Sequence, residues 1–149
     1  MNPKGRILGI DYGRTRIGLA LSDESQTIAS PIGYVINKGP VKTLVAIKEL
    51  LLKHGAFPPV PPLIMCGIAL HTDGSESPMS AETRTFGTFL HENLGVPVEY
   101  FDERYSSQAA EQHIRENLGI KNPKKVVELV DTMAATMVLQ EYLAQRRKQ

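Results

Sequence analysis

Three places in this chain put a carboxylate where an acidic side chain is costly. Asp11 closes the apolar run Ile7-Leu8-Gly9-Ile10. Asp102 and Glu103 follow directly on Val96-Pro97-Val98-Glu99-Tyr100-Phe101. Asp131 borders an apolar stripe made by Val130, Ala134, Met137 and Val138. Short apolar runs bounded by turn residues read as buried strands. A carboxylate at the mouth of such a strand is poorly solvated on one side, so it needs a hydrogen-bonding partner, a cation or a proton.

Taken singly, each acid has an ordinary explanation. Asp131 is compatible with a favourable position near a helix N-terminus, and Asp102-Glu103 with a surface loop paired to Arg104. Taken together they suggest one site. In open α/β sheets the site lies beyond the carboxyl ends of the strands, where Asp11 and Asp102-Glu103 both fall. A terminal helix packed across the sheet would bring Asp131 alongside. Alternate strand residues face opposite ways, so one of Asp102 and Glu103 is expected to join Asp11, and the spacing leaves open which. Three close acids cannot all ionise without a counter-charge. Mg²⁺ or Mn²⁺ suits an all-oxygen donor set. Two such ions about 3.5–4 Å apart can clamp the attacking and leaving oxygens of a phosphoryl displacement. No histidine base is then required, and His54, His71, His91 and His113 show no ligand-like spacing.

The elements that must position these acids follow from periodicity. Strands are expected over residues 7–10, 16–22, 33–36, 63–70 and 96–101. Helices are expected over 41–54, 80–94, 106–117 and 126–146. The short turn after Asp11 implies an antiparallel hairpin, whereas the later strands need helical crossovers and should run parallel. The expected fold is α/β: a mixed sheet, antiparallel in its first three strands and parallel later, with helices on both faces. Four prolines in Phe57-Pro58-Pro59-Val60-Pro61-Pro62 point to a stiff surface loop.

A chain of 149 residues fits one domain, spanning 1–149, with a real core. Net charge is +1, so any nucleic-acid footprint must be local. Lys121, Lys124 and Lys125 form one basic stretch and Arg146, Arg147 and Lys148 another. Either could contact phosphates or simply face solvent. The single cysteine, Cys66, lies in an apolar strand pattern and excludes an internal disulfide or a thiolate zinc cluster. The polar start and the lack of a long apolar run point to a cytoplasmic protein without a membrane span.

Four segments, in order along nearly the whole chain, resemble the YqgF/RuvX family. They are the opening signature Gly9-Ile10-Asp11-Tyr12-Gly13-Arg14-Thr15-Arg16-Ile17-Gly18, the polar loop Asp73-Gly74-Ser75-Glu76, the motif Asp102-Glu103-Arg104-Tyr105-Ser106-Ser107, and the helix Val130-Asp131-Thr132-Met133-Ala134-Ala135 with Leu139, Gln140 and Leu143. The chain departs from the family at Gly67-Ile68-Ala69, at Ser107 and in its longer Pro-rich loop. The acids are kept. The resemblance implies an RNase H-like fold and a metal-dependent nuclease that processes the 5′ end of pre-16S rRNA. It also implies Asp11, Glu103 and Asp131 as catalytic, metal-binding acids, with Asp102 as the substitute if the strand register differs.

Arg14, Arg16 and Arg104 lie near these acids in sequence and, with Lys124 and Lys125, are the expected phosphate contacts. The expected partners are nucleic acid, either pre-rRNA or branched DNA, and ribosomal precursor particles. Competing readings are a Holliday junction resolvase, which would favour a homodimer, and a non-catalytic RNA- or ribosome-binding module. A third is an ATP-handling protein, because Asp11-Tyr12-Gly13-Arg14-Thr15 also resembles the phosphate loop of the actin/Hsp70/sugar-kinase group.

Overall fold

A computed structural model describes residues 4–103, 116 and 119–147. Strands β1 (Leu8–Asp11), β2 (Arg16–Ser22) and β3 (Ala29–Ile36) come first. Helix α1 (Pro40–Lys53), strand β4 (Ile64–Ile68), helix α2 (Pro78–Leu94) and strand β5 (Val98–Asp102) follow, and helix α3 (Pro123–Arg147) ends the order. One five-stranded sheet has the order β3-β2-β1-β4-β5. The β1–β2 and β2–β3 pairs are antiparallel, and the β1–β4 and β4–β5 pairs are parallel. The mixed sheet expected from the sequence is therefore present. The helix expected over 106–117 lies outside the described residues, apart from residue 116.

Strand alternation sorts the core into two layers. Leu8, Ile10, Ile17, Leu19, Ile64 and Cys66 face α1 and α2 and pack with Leu44, Ile47, Leu51, Phe86 and Leu90. Ile7, Ala20, Leu63 and Met65 face the other way, against Ala135, Val138, Leu139, Tyr142 and Leu143 of α3. This second face matters for function, because Asp11 follows Ile7 and Gly9 on it. At Gly9 an added Cβ would lie 3.0 Å from Leu139 Cβ and 3.1 Å from its Cδ2. The bare glycine backbone lets α3 lie close on β1.

Helix ends follow local chemistry. The Ser77 hydroxyl accepts from Ser80 N–H, the Ser80 hydroxyl accepts from Ser77 N–H, and Pro78 opens the helix. Gly95 closes α2 in the left-handed conformation at φ 69°. The Asn122 side chain accepts from the N–H groups of Lys124 and Lys125, which starts α3 at Pro123, ahead of the expected start at 126. Strand β3 is longer than expected and contains Pro31, which an edge strand tolerates. Its register with β2 shifts between Leu19 and Ala20. No helix among the described residues is long and apolar enough to cross a membrane.

Helix α3 has a clear direction on its sheet face. Gln140 accepts from Ala29 N–H and donates to Thr27 O, and Arg147 donates to Thr27 O, all at the start of β3. That end is level with Ile7, since Ser22 pairs with Ala29 and donates to Ile7 O. The N-terminal half of α3 therefore points toward the carboxyl ends of β1 and β4. Asp131 is two turns before Leu139, about 12 Å along the axis.

Candidate metal and active site

Asp11 is the last residue of β1, and both of its neighbours in the sheet are glycines. It pairs with Gly18 on β2 and with Gly67 on β4. Neither neighbour carries a side chain, so the sheet leaves a slot beside the carboxylate. Gly67 is in turn level with Phe101 on β5. Phe101 packs on the α3 side, edge-on to Tyr142 with ring centroids 5.8 Å apart. Glu103 follows two residues later and keeps that face. Its N–H donates to Ile68 O at 2.8 Å, which continues the β4–β5 pairing one residue beyond the strand.

The Glu103 carboxyl fills the slot. An added Cβ on Gly67 would meet Glu103 Oε2 at 2.5 Å, its Cδ at 3.1 Å and Val138 Cγ1 at 3.3 Å. Among the described residues Oε2 is buried without a hydrogen-bond partner, although Glu103 as a whole is only partly buried. Burial raises the Glu103 carboxyl far above its ordinary value of 4.5. The Asp11 charge, a hydrogen bond with Asp11 and the Asp102 charge act in the same direction. Asp11 and Glu103 thus form a close acidic pair that holds a proton at neutral pH. Asp102 shares strand parity with Tyr100, which packs in the α1/α2 layer, so its side chain leaves the sheet on the opposite face.

The fit to a divalent cation can be judged from these residues. Two carboxyls share one slot, one buried oxygen lacks a donor, and the donor atoms are all hard oxygens. Such an all-oxygen pair fits a hard divalent cation. No group of three His, Cys, Asp or Glu able to hold a metal occurs among the described residues. The Asp131 side chain lies outside them. The helix backbone places residue 131 one turn before Ala135, toward the acid end.

The expected basic residues separate clearly. Arg16 opens β2 on the parity of Gly18 and Ala20, the face that Asp11 shares. Lys124 and Lys125 are exposed in the first turn of α3, at the acid end of the helix. Arg146 and Arg147 are at its other end, beside the β2–β3 connection. Arg104 lies outside the described residues. Arg14 is held by Glu82 of α2, with its Nε donating to Oε2 at 2.9 Å and its Nη2 to the same oxygen. Nothing in the sequence singled out Glu82, an exposed charge on an amphipathic helix. Cys66 is fully buried, and burial pushes its thiol up to about 12, so it is an inert core residue.

The crowding at Gly67 gives a direct test. In Gly67→Ala the new methyl displaces the Glu103 carboxyl from beside Asp11. We expect the nuclease activity that the family resemblance implies to fall about 10²-fold, with a stability loss of about 1–3 kcal/mol. Cleavage kinetics and thermal melting check this together. A folded variant with full activity would show that the Glu103 position is immaterial.

A family model described as RuvX, Holliday junction resolvase, matches residues 5–145. A Chloroflexus aggregans protein bearing the name "Putative pre-16S rRNA nuclease" is 39% identical over 141 residues, covering 95% of this chain and 94% of that one. An Anaeromyxobacter dehalogenans protein of the same name is 38% identical over 141 residues, covering 95% and 98%. Among solved structures, T. thermophilus RuvC in complex with a Holliday junction substrate aligns with a TM-score of 0.55 at 16% identity, covering 97% of this chain and 96% of that one. Fowlpox virus resolvase with its Holliday junction DNA aligns at 0.53 and 15%, covering 95% and 98%. At these identities the structural likeness speaks to the fold, the RNase H-like mixed sheet.

Proposed function

This chain belongs to the RuvX family of Holliday junction resolvases, and we infer from that membership and from its acidic pair that it is a divalent-metal-dependent nuclease hydrolysing phosphodiester bonds. One observation carries the chemical part of the reading. Asp11 and Glu103 meet at the carboxyl end of the sheet, with an elevated Glu103 carboxyl pKa and a buried oxygen that has no hydrogen-bond partner among the described residues. A structural ion pair would bring a cationic partner to that oxygen, and none of the described residues does so. A metal-binding pair leaves it open.

Asp11 and Glu103 would hold Mg²⁺ or Mn²⁺, with Asp131 approaching from α3 as a third ligand. Asp102, which leaves the sheet on the other face, would act on the pair through its charge. When bound, divalent cations supply a more acidic water and neutralise charge on a phosphoryl oxygen, and a pair of ions is the arrangement we favour. The protein's own groups bind and orient the strand. Arg14, Arg16, Lys124 and Lys125 are at the acid end, and Arg104 directly follows Glu103 in sequence. Lysines in the first turn of a helix oppose its dipole, so Lys124 and Lys125 are poorly explained as stabilisers of α3. Contact with backbone phosphates explains them better.

For the substrate we propose the 5′ leader of pre-16S rRNA, the substrate named for relatives that match over nearly their full length. A four-way DNA junction is the second reading, because the matching family model is described by that activity. Purified protein with Mg²⁺ or Mn²⁺ should cut the precursor leader in preference to a junction and to linear controls. Preferential, symmetric cutting of the junction would reassign the substrate. Binding of RNA without cleavage of any of these would make the chain a binding module.

A further inference from the structure

Arg14 is three residues beyond Asp11, so the chain allows at most about 11 Å between their backbones. It is therefore placed to contact a strand entering at the acids. Its guanidinium is already engaged. Both Nε and Nη2 of Arg14 donate to the Glu82 carboxylate, with Nε 3.2 Å from Oε1 and 2.9 Å from Oε2. The two shorter bonds, from Nε and Nη2, converge on Oε2, and a phosphate oxygen can accept the same pair of charge-assisted donors. Glu82 thus occupies the place a backbone phosphate would take. The pair is open to solvent, with Arg14 64% and Glu82 37% exposed.

A second arginine of α2 shows the contrasting case. Arg84 donates to Glu76 at 2.7 Å, but its guanidinium also stacks 4.8 Å from the Tyr100 ring centroid. Two contacts of different kinds fix Arg84 to the body of the protein. Among the described residues the Arg14 guanidinium is held by one partly exposed carboxylate, that of Glu82. Tyr12, two residues earlier, is anchored on Phe86 of α2 with ring centroids 5.3 Å apart. The hairpin is thereby held on α2 without the ion pair, and the Arg14 side chain can exchange partners while its backbone stays in place.

We propose that Glu82 is a phosphate surrogate that holds Arg14 in its binding geometry and is displaced by a backbone phosphate of the nucleic acid when the strand enters. Glu82 is then a positioning residue that weakens strand binding, and it favours strands that deliver a phosphate to the fork. This rests on the nuclease reading. The exchange swaps one salt bridge for another, so its cost is that of an exposed pair, roughly a two- to fivefold equilibrium factor.

The test measures binding of a labelled single-stranded RNA and a labelled four-way DNA junction by fluorescence anisotropy in EDTA, over a salt series. Cleavage with Mn²⁺ is measured separately. Glu82→Gln is expected to bind about two- to fivefold more tightly than the parent at low salt. Its salt slope should stay equal to the parent's or steepen by up to about one phosphate contact, roughly 0.7 for a single strand. Arg14→Ala should bind more weakly with a shallower slope, and Arg14→Ala/Glu82→Gln should match Arg14→Ala. Glu92→Gln, an exposed charge at the far end of α2, controls for bulk charge and should match the parent. Thermal melting confirms that each variant is folded.

Equal affinity for Glu82→Gln and Glu92→Gln would overturn the proposal, and so would a double variant that binds more tightly than Arg14→Ala. In either case cleavage by the parent leaves the nuclease reading standing. A parent that neither binds nor cuts nucleic acid would overturn both.

Discussion

Asp11→Asn is expected to abolish metal-dependent cleavage, lowering the rate by about 10²–10³-fold or more, while the fold is kept. Asparagine preserves the shape of the side chain between Gly18 and Gly67. It removes the charge that a cation needs, and it can still hydrogen-bond with Glu103. Stability should therefore stay within about 1 kcal/mol of the parent, because one hydrogen bond replaces another. The measurement is a single-turnover cleavage assay with Mn²⁺ on the best substrate of the parent, beside a melting curve. Unchanged cleavage would assign the activity to a contaminant or to a different site.

Glu103→Gln should lose activity to a similar extent and gain stability near neutral pH. The folded chain binds a proton at Glu103 more tightly than the unfolded chain does, because burial and the charges of Asp11 and Asp102 oppose ionisation. Below the ordinary value of 4.5 the carboxyl is protonated in both states and contributes its full stability. As pH rises from there through neutrality, the unfolded chain gives up the proton and the folded chain keeps it. Stability then falls, until Glu103 ionises in the folded state as well. A glutamine mimics the protonated acid at every pH. The variant should match the parent near pH 4 and exceed it at pH 7–8 by about 1–3 kcal/mol in EDTA.

Added Mg²⁺ or Mn²⁺ should reverse that order, because the cation stabilises the parent by mass action and finds no charged Glu103 in the variant. Cation binding to the parent should also release protons. Denaturant unfolding between pH 4 and 8, with and without divalent cation, checks the sign. Parallel pH profiles for the two proteins would mean that Glu103 is an ordinary solvated acid.

How much of this was legible beforehand varies by residue. Asp11 was conspicuous because a carboxylate ending an apolar strand has few ordinary explanations. The choice between Asp102 and Glu103 was not available, since parity depends on how β5 pairs with β4, and a sequence does not state register. Glycine in a strand interior does signal close approach, and Gly67, within the run Leu63 to Leu70, was such a signal for the slot that Glu103 fills. The sequence places the third strand only over 33–36, since Ser30 and Pro31 are poor strand formers, yet an edge position accepts them and β3 starts at Ala29. Helices α2 and α3 began earlier than their apolar periodicity because Ser77-Pro78 and Asn122-Pro123 set their first turns by capping. Glu82 was invisible. Only the folding of the β1–β2 turn against α2 makes it the partner of Arg14.

The central claim is that Asp11 and Glu103 hold a divalent cation in common. Anomalous diffraction from crystals grown with Mn²⁺ tests it most directly. The account predicts an anomalous peak about 2.1 Å from carboxylate oxygens of both residues, with Glu103 Oε2 among the ligands and Asp131 reaching in from α3. A peak that involves neither carboxylate, under conditions where the same protein cleaves its substrate, would contradict it.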